Sequence, residues 1–323
     1  MFLFAGGAAF GQTKQQLLSQ YKASKTKGDA AEGARLLDKL EKQWPADTTV
    51  LYKRGQYQHF VQNDQNGALA SYSKALRTNP LMVQALIGRA LVFEEKGLYD
   101  KAITDLSAAI RKQPSSLDSW FARGGCHFKS GATEAALADY QVVMKEAPTY
   151  ALGHVEAAGC LRKLGRKAEA EEIYRKALLM PGADVLALQC YYGKFLLNEG
   201  RFSEAAQQLD AAMRTGSDRL DGEDYNNAAV AAYKTKNLTA AARYFDKAVQ
   251  LAPKNVEYKI NYASLAIDEL KWSRVLELAR EAIALEPDNA SANMLMAVGL
   301  IKTGNETEGR KYQARSKELS AKQ

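Results

Sequence analysis

The chain has 323 residues, of which 46% are hydrophobic and 25% are charged. That much apolar side chain excludes an intrinsically disordered chain, because a core can be buried. The formal net charge of +7 is modest and is spread along the sequence, so it permits an acidic partner without requiring one. The presence of only 7 prolines favours long helices, since proline breaks helix interiors.

The N-terminal segment differs from the rest of the chain, because Met1–Gly11 is apolar and has no charged side chain. Ala9 and Gly11 are small residues placed as in a signal-peptidase site before Gln12. This pattern is typical of a secretory signal peptide. We therefore expect export to the periplasm or cell envelope. The alternative is a cytoplasmic protein that keeps the segment as an apolar tail on its first helix. No apolar run is long enough to span a bilayer.

Several residue types recur along the chain at a spacing of 34 residues. Four types in phase predict internal structural repeats, which decide the fold before any other feature does. The residues that share the spacing are Pro80, Pro114 and Pro148; Gly97, Gly131 and Gly165; Ala102, Ala136 and Ala170; and Tyr140 and Tyr174.

Residues 117–148 show how one repeat is expected to fold. Trp120 and Gly124 fall on one face of a first helix. Gly131 is expected to end that helix, because a left-handed C-cap favours glycine. We expect Thr133 to be the N-cap of a second helix. The apolar face of this second helix is formed by Ala136, Tyr140 and Val143.

The pattern resembles the tetratricopeptide repeat (TPR), a helix–turn–helix of 34 residues. The resemblance rests on the second helix, where alanine, an aromatic residue, alanine and proline recur, as in Ala68, Tyr72, Ala75 and Pro80. The first helix departs from the family pattern, because Arg89 and Arg123 stand where the family has leucine. Nine repeats are predicted, beginning near residues 14, 48, 83, 117, 151, 186, 222, 256 and 290.

The resemblance implies an all-α fold, a right-handed superhelical solenoid of antiparallel helix pairs. We expect a single solenoid over residues 13–319. It follows the apolar segment 1–12 and precedes a C-terminal tail at 320–323. Each repeat buries its apolar faces only by stacking on its neighbours.

In this family, ligands usually lie in a concave groove lined by the first helices. The resemblance implies that four positions of each first helix line the groove, and the middle of that surface is apolar here. The alternative is that these side chains only pack between successive first helices. The predicted groove residues are Ile87, Leu91, Phe121, Phe128, Leu152, Val155, Arg162, Lys194, Leu197, Asn226 and Tyr233. Gly125 and Gly159 are expected to leave room beside the aromatic side chains.

The residues that usually carry chemistry are few. The histidines are His59, His127 and His154. Because His154 occupies the position of Trp120 one repeat earlier, we interpret it as a packing residue and not as a metal ligand. The cysteines Cys126, Cys160 and Cys190 are too few and too widely spaced for a disulfide framework or a zinc site. No phosphate-loop, nucleophile-elbow or metalloprotease motif is present, so we predict no enzyme, cofactor or metal.

The sequence therefore predicts a non-catalytic scaffold or adaptor that binds a protein or peptide. Two alternatives stay open. One is an RNA-binding helical-repeat protein, although the scattered lysines and apolar groove centre are unlike a stacking platform for bases. The other is a non-catalytic regulatory subunit of an envelope enzyme complex. The lysine–asparagine clamp by which some TPR co-chaperones hold a C-terminal carboxylate does not assemble in register here.

Overall fold

A computed structural model describes residues 12–322. Every regular element in that range is an α-helix, and the helices form nine consecutive pairs. They are α1 (Lys14–Thr26), α2 (Ala30–Gln43), α3 (Thr48–Phe60), α4 (Gln65–Thr78), α5 (Val83–Glu95), α6 (Tyr99–Lys112), α7 (Leu117–Lys129), α8 (Thr133–Glu146), α9 (Ala151–Lys163), α10 (Lys167–Leu178), α11 (Val185–Asn198), α12 (Phe202–Arg214), α13 (Gly222–Lys234), α14 (Leu238–Leu251), α15 (Val256–Asp268), α16 (Trp272–Leu285), α17 (Ala290–Lys302) and α18 (Glu306–Ser320).

The predicted repeat phase is confirmed. The first helix of each pair begins at the predicted position, except that α11 begins at Val185, one residue early. The predicted all-α solenoid of helix pairs is likewise confirmed. The segment Met1–Gly11, on which the export prediction rests, lies outside the described residues. Among the residues that are described, no helix has the length and apolar character that crossing a membrane requires.

By its internal contacts the chain divides into two compact units. Unit 1 runs to Ile173 and unit 2 begins at Tyr174, so the division falls within α10. Inside unit 1, α7 packs on its own partner α8 and on α6 of the preceding pair, and α9 packs on α8. Inside unit 2 the same neighbours pack, with α13 against α12 and α14. Contacts between successive helices thus build each unit.

The aromatic residue of a second helix fills the space beside the first helices. Tyr72 on α4 is fully buried. A Cβ added at Gly55 on α3 would lie 2.6 Å from the Tyr72 ring, and one at Gly88 on α5 would lie 2.7 Å from it. Only glycine fits at these two positions, so the ring touches the backbone of the first helix before it and of the one after it. Tyr140 on α8 makes the corresponding contact with the first helix before it, where a Cβ added at Gly124 on α7 would lie 2.9 Å from its ring.

The arginines that replace the family's leucine tie three helices together. Arg89 on α5 donates to both carboxylate oxygens of Asp105 on α6, at 2.7 and 2.8 Å, and to Ser73 Oγ on α4 at 3.2 Å. Arg123 repeats this arrangement one repeat later, with Asp139 at 2.9 and 2.6 Å. Both aspartates are buried. The arginines that replace the family's leucine therefore form polar clamps between helices.

A second hydrogen bond recurs at the fourth residue of several first helices. Trp120 Nε1 donates to the Pro114 carbonyl at 2.8 Å. His154 Nε2 lies 2.7 Å from the Pro148 carbonyl, and because a carbonyl only accepts, this nitrogen carries the proton. In unit 2, Asn293 Nδ2 donates to the Pro287 carbonyl at 3.0 Å. The interpretation of His154 as a packing residue equivalent to Trp120 agrees with this geometry.

The predicted caps of the repeat at 117–148 are half right. Gly131 follows α7 with φ at +90°, as expected of a glycine C-cap. The prediction that Thr133 is the N-cap of α8 is wrong. Ala132 occupies the cap position, and Thr133 is the first helical residue. Thr133 is buried there and its hydroxyl donates back to the Gly131 carbonyl at 3.4 Å, so it stabilises the turn instead.

We predict that Arg123→Leu lowers the free energy of unfolding by about 3 kcal/mol, because it leaves the buried Asp139 carboxylate without its charged partner. The double variant Arg123→Leu/Asp139→Ala should recover most of this loss, since no buried charge remains. Urea unfolding followed by circular dichroism measures both. A single variant as stable as the wild type would show that the clamp contributes nothing.

Candidate functional site

One side of the first helices in unit 1 is half-exposed and largely apolar. Its residues recur at spacings of three, four and seven, which place them on one face of each helix. We call this surface the α5–α7–α9 face. It consists of Ile87, Leu91 and Glu94 on α5; Phe121, Gly125 and Phe128 on α7; and Leu152, Val155, Glu156, Gly159 and Arg162 on α9. All are half-buried except Arg162, which is exposed.

The two phenylalanines of the face are held in place by their neighbours. The Phe121 ring packs edge-on against Tyr140 and Tyr150, with ring centroids 5.4 and 5.7 Å apart. Lys163 Nζ lies 4.4 Å above the Phe128 ring and donates to the Phe128 carbonyl at 3.4 Å. Both rings therefore take part in packing between repeats while keeping part of their surface open. Phe121 and Phe128 thus have features of both interpretations, because each packs between helices and is also partly open on the predicted groove surface.

Some aliphatic residues of the face pack into the core and others are mainly part of the surface. Ile87 packs against two clusters of buried residues, one around Tyr72 and one around Leu106, so it supports the core as well as the surface. Leu152 and Val155 lie side by side on α9 and are half-exposed.

Adjacent glycines on α7 have different surroundings. A Cβ at Gly124 would lie 2.9 Å from the Tyr140 ring, so this glycine is required by packing. A Cβ at Gly125 would meet only the Tyr140 hydroxyl at 3.7 Å and Glu94 Oε1 at 3.9 Å, which are ordinary contacts. A Cβ at Gly159 on α9 would have nothing within 4 Å. The face thus has open space where side chains are absent.

The two glutamates of the face differ in whether they have a charged partner. Glu94 is paired with Lys129, at 2.8 Å. Glu156 is half-buried, and no hydrogen bond or ion pair to its side chain forms within the described part of the chain. Burial raises the pKa of Glu156, and the nearby positive charge of Lys129 opposes this only in part. Sequence reasoning missed Glu156, and the signal for it is a lone carboxylate within an apolar stripe.

The predicted groove residues of unit 2 mostly bind neighbouring repeats. Lys194 forms an ion pair with Glu223, and Leu197 is half-buried. Asn226 is buried, and its Oδ1 accepts a hydrogen bond from Asn261 Nδ2 at 3.1 Å.

Tyr233, the last of the predicted groove residues, also binds the following repeat. Its hydroxyl donates to Asp268 Oδ2 at 2.7 Å. Burial and this carboxylate raise the pKa of Tyr233 to about 12. Asn226 and Tyr233 therefore link first helices of successive repeats.

Unit 2 contains a cavity of about 230 Å³ between α11, the connection at 215–221 and the start of α13. Its walls include Tyr191, Lys194 and Asn227. The Cys190 thiol and the Asp224 carboxylate are hydrogen-bonded there, and burial raises the pKa of both groups. The acidic side chains at this place also cap α13, with Asp221 accepting from two backbone amides, so they serve the helix.

The histidines do not come together. His59 Nε2 lies 2.9 Å from each carboxylate oxygen of Glu95, and His127 Nε2 lies 3.8 Å from Asp139 Oδ2. Within residues 12–322 no group of three or more metal-binding side chains forms. Cys126, Cys160 and Cys190 are buried free thiols. Burial raises the pKa of Cys126 to about 12 and that of Cys160 to about 11.

Comparison with known proteins identifies the class of fold. Two family models described as tetratricopeptide repeat match the chain, at residues 59–114, 95–151 and 193–256 for one and 154–183 for the other. Together these matches span more than half of the chain. The protein therefore belongs to the tetratricopeptide repeat family. Members of this family are generally non-catalytic scaffolds that bind other proteins.

Individual relatives are distant. Stress-induced-phosphoprotein 1 of Caenorhabditis elegans is 28% identical over 75 residues, which is 23% of each chain. The chain thus spans about a quarter of the length of this curated relative. A crystal structure of a tetratricopeptide repeat protein from Parabacteroides merdae has a TM-score of 0.61 at 19% identity, over 80% of this chain and 100% of that one. The Cut9–Hcn1 structure has a TM-score of 0.53 at 15% identity, over 90% and 57% of the two chains. These structures share the fold.

We predict opposite effects of alanine at the adjacent glycines of α7. Gly124→Ala should destabilise the protein by about 1–3 kcal/mol, because its methyl group overlaps the Tyr140 ring in a packed core. Gly125→Ala should stabilise it by about 0.5–1 kcal/mol, because alanine loses less backbone freedom in a helix. Urea unfolding of the two variants tests this. Equal effects would show that Tyr140 does not pack as described.

Proposed function

We propose that the protein is a non-catalytic scaffold or adaptor that binds a segment of a partner protein on the α5–α7–α9 face. The observation that carries the proposal is the open space at Gly159, on the same side of α9 as the half-exposed apolar side chains of Leu152 and Val155. Partly exposed apolar side chains gathered on one side of successive helices are typical of an interaction site. The backbone of the face is helical, so binding a partner would cost little conformational entropy.

The packing of the phenylalanines supports the proposal. Since Phe121 is held by Tyr140 and Tyr150, and Phe128 by Lys163, their open edges are already oriented before a partner arrives. A preorganised surface avoids part of the entropy cost of binding. The alternative function as an RNA-binding protein fits this face less well, because Glu94 and Glu156 place carboxylates where phosphates would lie. A regulatory subunit of an envelope enzyme complex would use the same face for its partner enzyme.

The test is to fill the open space. Gly159→Leu places a branched side chain on the face at a position where an added Cβ has no neighbour within 4 Å. A photo-crosslinking residue at Leu152 reports bound partners in the native cell. We expect Gly159→Leu to reduce the captured partner about tenfold or more, since the ligand and the leucine would occupy the same volume. Helix content should be unchanged.

The matched control is Ala138→Leu, which adds the same bulk at an exposed position of α8, away from the face. This variant should capture partners as the wild type does. If Gly159→Leu captures the same partners at the same level, or if the unmodified face captures none, binding on this face is refuted.

We also propose that the protein is exported to the periplasm or cell envelope. Support comes from the apolar segment Met1–Gly11 and the small residues Ala9 and Gly11, a pattern typical of signal peptides. N-terminal sequencing of the chain recovered from fractionated cells should find Gln12 at the start. A chain in the cytoplasmic fraction that still begins at Met1 would contradict export.

A further inference from the structure

We infer that the partner segment carries a lysine or arginine flanked by apolar residues, and that its cation pairs with Glu156 on the α9 part of the α5–α7–α9 face. The inference deepens the proposed function and rests on it. It specifies the chemistry of the partner, which neither the family nor the relatives define.

Glu156 is placed within the apolar part of the face. On α9 it follows Val155 directly, and it lies one helical turn from Leu152 on one side and three residues from Gly159 on the other. Residues at these spacings share one side of a helix. Burial raises the pKa of the Tyr140 hydroxyl on α8, and the nearby Glu156 carboxylate raises it further. The carboxylate therefore lies over the buried aromatic layer and beside open space.

The half-buried Glu156 carboxylate has no hydrogen-bond or ion-pair partner within residues 12–322, unlike the buried carboxylates of Asp105 and Asp139. Asp105 and Asp139 are each bound by an arginine fork. Burial raises the pKa of Glu156, and the cation that opposes this shift is Lys129, which is already paired with Glu94 at 2.8 Å. The free protein thus keeps one carboxylate partly withdrawn from water without a counter-charge, which is costly.

A bound segment would bury this carboxylate further, so its chemistry decides what the face accepts. A purely apolar segment would leave the negative charge buried and unpaired, which is strongly unfavourable. An acidic segment would add a like charge beside Glu156 and Glu94. A lysine or arginine satisfies both features of the site. Its aliphatic stem covers Leu152 and Val155 while its cation reaches the carboxylate, as long basic side chains commonly do.

The space for such a side chain is present. Gly159 offers open volume next to Glu156, and Gly125 offers it on the α7 side, where the Tyr140 hydroxyl forms the floor. Arg162, the other charged residue of the face, is exposed at the end of α9. It lies six residues from Glu156, about 9 Å along the helix axis, so it does not occupy the site.

The experiment is selection of a phage-displayed random peptide library on the full chain and on its Glu156→Gln and Gly159→Leu variants. Ala138→Leu serves as the matched control for added bulk. The wild type should select peptides rich in lysine or arginine between apolar residues. Glu156→Gln keeps the shape of the side chain and removes its charge, so it should lose the preference for basic residues. Gly159→Leu should select none of these peptides, whereas Ala138→Leu should select them as the wild type does.

The outcomes separate this inference from the proposed function. Peptides that require an open Gly159 but show no basic preference, or a basic preference that survives in Glu156→Gln, overturn the inference and leave the binding face intact. Peptides that bind Gly159→Leu as well as wild type, or a failure to select any peptide, overturn both.

A selected peptide then allows a direct measure of the pairing. Replacing its basic residue by norleucine should weaken binding about tenfold, as should Glu156→Gln, because each removes a charge-assisted hydrogen bond. Combining the two changes should weaken binding no more than either alone, since both remove one interaction. Effects that multiply in the combination would show that the cation binds elsewhere, and would overturn the pairing with Glu156.

Discussion

The close approach of an aromatic ring to a helix backbone is the constraint on which this structure depends. Tyr72 is buried between α3 and α5, where Gly55 and Gly88 leave no room for a larger residue, and Tyr140 is buried against Gly124 on α7. This contact fixes how far apart successive first helices stand. It therefore also fixes which of their side chains are buried and which stay half-exposed on the opposite side. The binding face proposed for unit 1 is the reverse side of this packing layer.

Polar interactions set the register of the layers that the rings hold together. The arginine forks on Asp105 and Asp139 each join one first helix to the second helices before and after it. A fork that binds both carboxylate oxygens tolerates little sliding. The leucine of the family pattern would make only hydrophobic contacts, which are not directional. The clamps thus fix the positions of α5 and α7, and with them the spacing of Leu91, Phe121 and Phe128 across the face.

Much of the fold could be predicted from the sequence, because proline, glycine and alanine recur in phase and each acts locally. The starts of the first helices were predicted to within one residue for this reason. The roles of Arg89 and Arg123 could not be predicted, since their partners lie on other helices. The predicted cap at Thr133 is wrong because α8 begins at Thr133 itself, and the alanine before it has no capping side chain. The face was predicted as a set of positions. The contacts of these positions could not be predicted, because they depend on residues one repeat away. Asn226 binds a neighbouring repeat, whereas Glu156, which was not predicted, has no partner within the described residues.

Trp120, His154 and Asn293 share no chemistry except a nitrogen that can donate a proton, yet each binds the carbonyl of the proline six residues before it. The position requires an N–H donor that reaches the proline carbonyl, and an indole, an imidazole or an amide can each provide it. Sequence profiles score the identity of a residue, so such substitutions cost similarity without costing structure. Asn293 lies beyond residue 256, where the family-model matches end, yet it keeps both the hydrogen bond and its helix pair. This tolerance of different donors is a degeneracy of sequence. It lets such repeats diverge far in sequence while their architecture is kept.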